Sequence, residues 1–286
     1  MICLSKKEVE DVEPIEEDPE PEKIVYKKMK INFWRTKLHD EELGLHQEMK
    51  YQAKTRWYSK SFDMEGDIEV DGEKKFVIAF NKEEWEETPD DEYKRFVCRI
   101  FTLMEEELDG KNLQGGNFHG GIELSVAHSL VQSYEVRRPA PVFFIQLPRD
   151  YNLYRVVKGW RIIGSQWSWP LLPEKKGDKF QIVRAKSRLI SWGDNFDIYI
   201  GDKKVARLDE QPLQNEYELE IFDEDYSKDT TFNKQLILFA CGSEFMKEST
   251  KMIKKLYKQM QKTGTTDYRM PKTEVDLFRN PRMMRR

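Results

Sequence analysis

The sequence predicts an α+β protein, an antiparallel β-barrel around a hydrophobic C-terminal helix, with N-terminal helices packed outside. Two observations carry that expectation. Between residues 122 and 222, short runs rich in Val, Ile and aromatics recur, separated by turns such as Gly177-Asp178 and Gly201-Asp202. That spacing suits a sandwich or barrel, not a βαβ sheet. The second is Phe232–Lys262. Leu236–Cys241 is apolar on every side and needs enclosure, whereas beyond Glu244 apolar residues fall at three- and four-residue steps opposite a lysine face. A buried strand over Leu236–Cys241, followed by an ordinary amphipathic helix, is the alternative. Setting the apolar helix among the strands gives a closed barrel whose interior holds Leu236–Cys241 and its flanks.

Taken in order, residues 1–23 read as an acidic arm. Glu8–Glu22 contains nine acids, no bases and three prolines, and cannot bury enough apolar surface to fold alone. Residues 24–110 form an N-terminal region. In it, Ile24–Trp34 alternates loosely as an edge strand would. Asp40 opens a helix with Leu45, Met49, Ala53 and Trp57 on one face. Asp67–Phe80 is a hairpin about Asp71-Gly72, a dipeptide that accepts positive φ. Thr88-Pro89-Asp90-Asp91 caps a predicted surface helix carrying Tyr93, Phe96, Val97, Ile100, Phe101 and Met104, ended by Asp109-Gly110.

Residues 111–262 are the predicted barrel with its central helix. A glycine-rich link, GKNLQGGNFHGG, precedes strands expected over Ile122–Gln132, Tyr134–Val136, Val142–Leu147, Tyr154–Ile163, Lys179–Lys186, Arg188–Trp192, Phe196–Ile200, Lys203–Leu208 and Tyr217–Phe222. Residues 263–286 form a basic, extended tail. From Lys247 to Arg286 there are twelve bases against four acids, so the net charge of −4 conceals a chain with one negative and one positive end.

Cys3, Cys98 and Cys241 are widely spaced and form no Cys-x-x-Cys pair, which argues against a disulfide framework or zinc cluster. His39, His46, His119 and His128 contain no His-x-x-x-His pair, so neither metal nor other cofactor is expected. The Gly115–Gly121 run leads toward strands, where a phosphate cradle would lead into a helix. Lys262-Thr263-Gly264 lacks the Ser-x-x-Lys partner of penicillin-binding enzymes. No catalytic signature emerges. The N-terminus turns acidic too soon for a secretory signal, and no run approaches the roughly 20 apolar residues of a membrane span. A soluble, cytoplasmic protein is expected.

Arg184–Leu208, RAKSRLISWGDNFDIYIGDKKVARL, resembles the repeating strand unit of the LURP-one-related and tubby-like family, in which a basic strand ends in Ser-Trp-Gly and a glycine turn leads to a Val-Ala strand. Tyr217–Lys247 is similar to that family's last strand, acidic loop and central helix. Ser129–Gln146 is a weaker echo, and the likeness covers residues 118–262. The acidic arm, the elements before residue 110, the WSWPLLPEKKG insertion at Trp167–Gly177 and the tail after Lys262 have no counterpart in it.

The resemblance implies a non-enzymatic binding fold. Tubby proteins recognise phosphoinositides through basic residues, and the related scramblases act at membranes. Lys186-Ser187-Arg188 matches the Lys-x-Arg grip on a lipid headgroup, with a charged strand edge as the alternative. Two function classes follow. One is a non-catalytic scaffold subunit of a larger assembly, contacting protein partners through Trp167, Trp169, Tyr268, Phe278, Arg282 and Arg285. The other is a peripheral membrane module binding phosphoinositide or another anionic lipid through Lys186, Arg188, Lys203 and Lys204. An RNA-binding accessory role, with Trp160, Trp167, Trp169 and Trp192 stacking on bases, stands third; the chain's acidity argues against nucleic acid.

Overall fold

The computed structural model describes residues 24–33, 63–80, 85, 96–106, 112–148, 150, 152–173, 179–188, 195–211, 216–265 and 268. Twelve strands among them form one closed antiparallel barrel. They are β1 (Lys27–Phe33), β2 (Asp63–Val70), β3 (Glu73–Phe80), β4 (Val97–Glu106), β5 (Asn112–Ser125), β6 (Val142–Gln146), β7 (Leu153–Lys158), β8 (Gln166–Leu171), β9 (Gln181–Ser187), β10 (Phe196–Ile200), β11 (Lys203–Gln211) and β12 (Glu216–Ile221). Each strand pairs with its neighbours in sequence, and β1 closes the circle by pairing with both β2 and β12. Closure leaves no strand without a neighbour on either side. The described helices are α1 (Val126–Glu135), α2 (Glu224–Lys228) and α3 (Thr230–Thr263).

The two-residue period of the strands sends one set of side chains into the lumen, Met29, Ile31 and Phe33 from β1 and Tyr217, Leu219 and Ile221 from β12 among them. The first half of α3 fills the remaining space. Every residue from Gln235 to Ser243 is buried, so no side of this segment meets solvent. The Phe239 ring stacks on Trp169 at 4.7 Å and meets Phe196 edge-on at 5.4 Å. Trp169 Nε1 donates to Gln235 Oε1 at 3.0 Å, satisfying both buried polar groups. Gly120 and Gly242 let helix and wall approach: a Cβ on Gly120 would lie 2.8 Å from Leu238 Cδ1, and one on Gly242 would lie 2.7 Å from Ile122 Cδ1.

The two barrel ends differ. At one, α2 packs against the start of α3, with Asn233 Nδ2 donating to Ser227 O at 3.0 Å and the Tyr226 ring 5.0 Å from Phe232. Asp229 caps α3 by accepting from Phe232 N at 2.9 Å. At the other, α3 leaves the lumen through an aromatic collar. Phe245 there meets Phe96 at 4.4 Å, Phe80 at 4.5 Å and Trp85 at 5.8 Å. Tyr217 donates to Glu244 Oε2 at 2.6 Å beside that collar. Among the described residues no helix is long and apolar enough to cross a membrane.

Several expectations need correction. The helix predicted between the Thr88–Asp91 cap and Asp109-Gly110 is, over Val97–Glu106, strand β4. Cys98 and Ile100 face the lumen, while Val97, Arg99 and Phe101 are buried on the outer side, and burial on both faces erased the alternation. Much of the predicted glycine link is β5, where Gly121 makes room for Arg99: a Cβ there would lie 2.5 Å from Arg99 Nη1. Arg99 is fully buried in an ion pair with Glu123 at 2.9 Å. The strand predicted over Ile122–Gln132 stops at Ser125, which caps α1, and Tyr134 and Glu135 lie in that helix.

Ile24–Trp34 does yield a strand, β1, but an interior one. Trp167–Leu171, predicted as part of an insertion, belongs to β8, a stave of the wall. Pro170 fits because β7 pairs only with Trp167 and Ser168, leaving the proline without a β7 partner. Since β1–β4 are staves too, the barrel begins at Lys27 and is not confined to residues 111–262. The acidic arm, the helix predicted from Asp40 and the strand predicted over residues 189–192 lie outside the described residues.

Truncating the ring that occupies the lumen tests this packing. Phe239→Ala is expected to cost about 3–5 kcal/mol, seen as a lower urea midpoint with an unchanged denaturant slope.

Candidate anion-binding groove

From Glu244 onward α3 runs outside the barrel, and its pattern follows. Ile253, Leu256 and Tyr257 are buried on one side, while Lys247, Lys251 and Lys254, at steps of four and three, share an exposed face. These three lysines have no ion-pair partner among the described residues. Opposite them stand the last residue of β7, Lys158, and Ser165 of the following loop. A groove of about 410 Å³ opens between, floored by Trp167, Phe196 and Met246, with Thr250 on its helix side. Lys158 Nζ stands 5.8 Å from the Trp167 ring centroid, a cation–π contact that turns its charge toward the groove.

The groove's described lining thus contains four ammonium groups, two hydroxyls and no carboxylate over an apolar floor. Like charges at helical neighbour positions destabilise a helix by roughly 0.2–0.5 kcal/mol per pair, a strain that a bound anion would relieve. Thr250 Oγ1 donates to Met246 O at 2.6 Å, so its oxygen faces a ligand only as an acceptor. The arrangement is chemically suited to an anion carrying an apolar portion.

The structure sets most of the predicted basic residues against partners of their own. Lys186 Nζ lies over the Tyr199 ring at 4.6 Å, and Arg188 is paired with Asp209. Both stand toward the end where α3 leaves. At the α2 end Lys203 pairs with Asp223, whereas Lys204, nearly buried, reaches back to Asp197 at 2.8 Å. Register brings Lys186 opposite Asp197, the partner of Lys204, on one outer face, while Lys203 stands apart with Asp223, and carboxylates neutralise three of the four charges. Trp167 and Trp169 are 2% and 1% exposed, covered by this chain's own helix and strands, so they are not available to a partner. Tyr268 packs half-buried against the core. Phe278, Arg282 and Arg285 lie outside the described residues.

Titratable groups in the lumen serve packing. Desolvation, with a smaller contribution from Lys234, lowers the His119 pKa to about 4, and its ring lies 4.1 Å from Phe76. Burial and then the neighbouring Cys98 thiol hold Cys241 well above the usual thiol range. Among the described residues no three His, Cys, Asp or Glu side chains gather in a metal-binding group. Sequence reasoning had not picked out Lys158, Ser165 and Thr250. The lysine face of α3 was visible, but nothing in the sequence places the end of β7 across from it. No family model, no curated protein and no solved structure matches the chain.

His119 gives a pH test of the lumen. A folded pKa near 4 against 6.5 unfolded means the unfolded chain binds more protons between these values. Stability is therefore full above pH 6.5 and falls as pH drops toward 4, by up to about 3 kcal/mol at 1.36 per unit. In urea titrations across this window, His119→Gln is expected to lose stability less steeply than the wild type, by one proton's worth of slope.

Proposed function

We propose that this chain is a non-catalytic, tubby-like binding module whose basic end docks on an anionic lipid surface, with a headgroup held in the α3 groove. The observation that carries this reading is the four-lysine lining over an apolar floor. Lipid headgroups combine negative charge with an apolar neighbour, and near a membrane surface each basic residue contributes about 1 kcal/mol. A closed antiparallel barrel with a helix running through it is compatible with the likeness of Arg184–Leu208 and Tyr217–Lys247 to the tubby-like family. A cytoplasmic location goes with the reading, because the cytoplasmic leaflet is the anionic one.

This reading is favoured over a scaffold subunit for a specific reason. Trp167 and Trp169, two of the residues proposed to meet protein partners, are interior. For RNA, the same two tryptophans are unavailable for stacking on bases, and Trp160, which is exposed, stands with the aliphatic Ile162 and Ile163, a pairing that suits lipid better than bases.

Sedimentation with phosphatidylcholine vesicles, with and without phosphatidylserine or phosphoinositide, tests the proposal. The protein is expected to pellet only with the anionic vesicles. Lys251→Glu with Lys254→Glu should weaken binding about thirtyfold or more, two lost contacts of about 1 kcal/mol each. Lys186→Gln should leave binding unchanged. Equal pelleting with neutral vesicles, or indifference to the double reversal, would sink the proposal.

A further inference from the structure

Beside the groove, the loop of residues 159–165, Gly-Trp-Arg-Ile-Ile-Gly-Ser, carries three large apolar side chains turned to solvent. Trp160 is 67% exposed, Ile162 81% and Ile163 62%. Exposure of this kind usually marks a contact surface when the residues are contiguous. The loop is not loosely attached. Gly159 N donates to Gln166 O at 2.8 Å, Arg161 Nη1 to Ser187 O at 2.6 Å, and Ser165 N to Ser187 Oγ at 2.7 Å. Ser187 N returns a bond to Ser165 O at 2.9 Å. Gly164, at φ 81°, supplies the left-handed turn that closes it. The base is held to β9 while the tip projects.

We infer that this loop is a membrane wedge: Trp160, Ile162 and Ile163 enter the apolar boundary of the bilayer while the neighbouring lysines hold its headgroups. The inference rests on the membrane reading above and adds how the protein engages the lipid. Charge complementarity selects the occupant. From Lys158 to Ser165 the loop carries Lys158 and Arg161 and no acid, and Lys247, Lys251 and Lys254 stand across the groove. An apolar tip ringed by bases matches an anionic interface, where tryptophan sits at headgroup level and aliphatic side chains reach deeper. Because β9 already fixes the loop, little conformational entropy is lost on insertion. The wedge and the lysines divide the work: the bases respond to lipid charge and salt, the apolar tip to neither.

The test uses the full chain. In a Cys3→Ser background, Ile162→Cys is labelled with a polarity-sensitive nitrobenzoxadiazole group. Cys98 and Cys241 are buried and will not compete for label. A control probe is placed at Asp202→Cys, in the β10–β11 turn at the α2 end. With phosphatidylserine vesicles the probe at 162 is expected to brighten and shift to the blue, and to be quenched by lipids bearing nitroxide on the acyl chain. The probe at 202 is expected to do neither.

Separately, Ile162→Ser should weaken vesicle binding about tenfold, the loss of one inserted aliphatic side chain. That deficit should persist in high salt, where the effect of reversing Lys251 and Lys254 fades. If lysine-dependent pelleting remains while the 162 probe keeps its aqueous emission, the wedge is overturned and the membrane reading stands. If nothing pellets, both fall. Self-association abolished by Ile162→Ser, without insertion, would make the loop a protein contact and equally overturn the wedge.

Discussion

A barrel of twelve strands is too wide for its own inward side chains to fill, since about eight is the number at which they just suffice. Something else must occupy the lumen, and here it is the first half of α3. This one requirement explains why Leu236–Cys241 is apolar all round, why glycines stand at positions 120 and 242, and why Trp169 and Phe239 stack face to face. It also explains where polarity is allowed. Gln235 is tolerated in the interior because Trp169 Nε1 and Pro170 O take up its amide.

The same requirement positions the groove. At 1.5 Å per residue a 34-residue helix is about 51 Å long, whereas a seven-residue strand spans only about 23 Å. Roughly half of α3 therefore runs beyond the wall. Past the collar around Phe245 the helix has one covered side and one open side, and its sequence changes from wholly apolar to amphipathic at that point. Lysines on the open side come to lie over the rim where β7 and β8 meet. Met246, Phe196 and Trp167 then serve twice, as the last layer of the core and as the floor of the groove.

Legibility in the sequence followed burial. Phe196–Ile200 matches β10, and β11 and β12 were readable because one face of each strand meets solvent and alternation survives, while the β2–β3 hairpin was readable from its exposed Asp71-Gly72 turn. Both faces of β4 are covered, so Phe96, Val97, Ile100 and Phe101 imitated a helical stripe. Glycine in β5 answers close approaches by Leu238 and Arg99, tertiary facts that no local pattern contains. The lysine face of α3 could be read from its spacing. Lys158 and Ser165 could not, because only barrel closure and the path of α3 bring them opposite it. Lys186 and Arg188 illustrate the converse limit. A short basic motif says nothing of the tyrosine ring and carboxylate that neighbouring strands set against it.

Charge is distributed according to the same architecture. On the wall, cations stand opposite carboxylates across adjacent strands: Lys28 faces Glu218 at 3.3 Å, Lys30 faces Glu216 at 2.8 Å, and Lys204 faces Asp197 at 2.8 Å. Exposed pairs of this kind contribute little stability, with a median of roughly 0–1 kcal/mol, but they cancel the long-range field of the wall. Among the described residues Lys247, Lys251 and Lys254 lack such pairing, so the positive field of these residues is concentrated at the end where the helix emerges. The apolar tip of residues 160–163 rises from that same end. A wall that is electrically quiet and one end that is basic and greasy give the molecule a direction, and a planar anionic interface is the surface that both features fit at once.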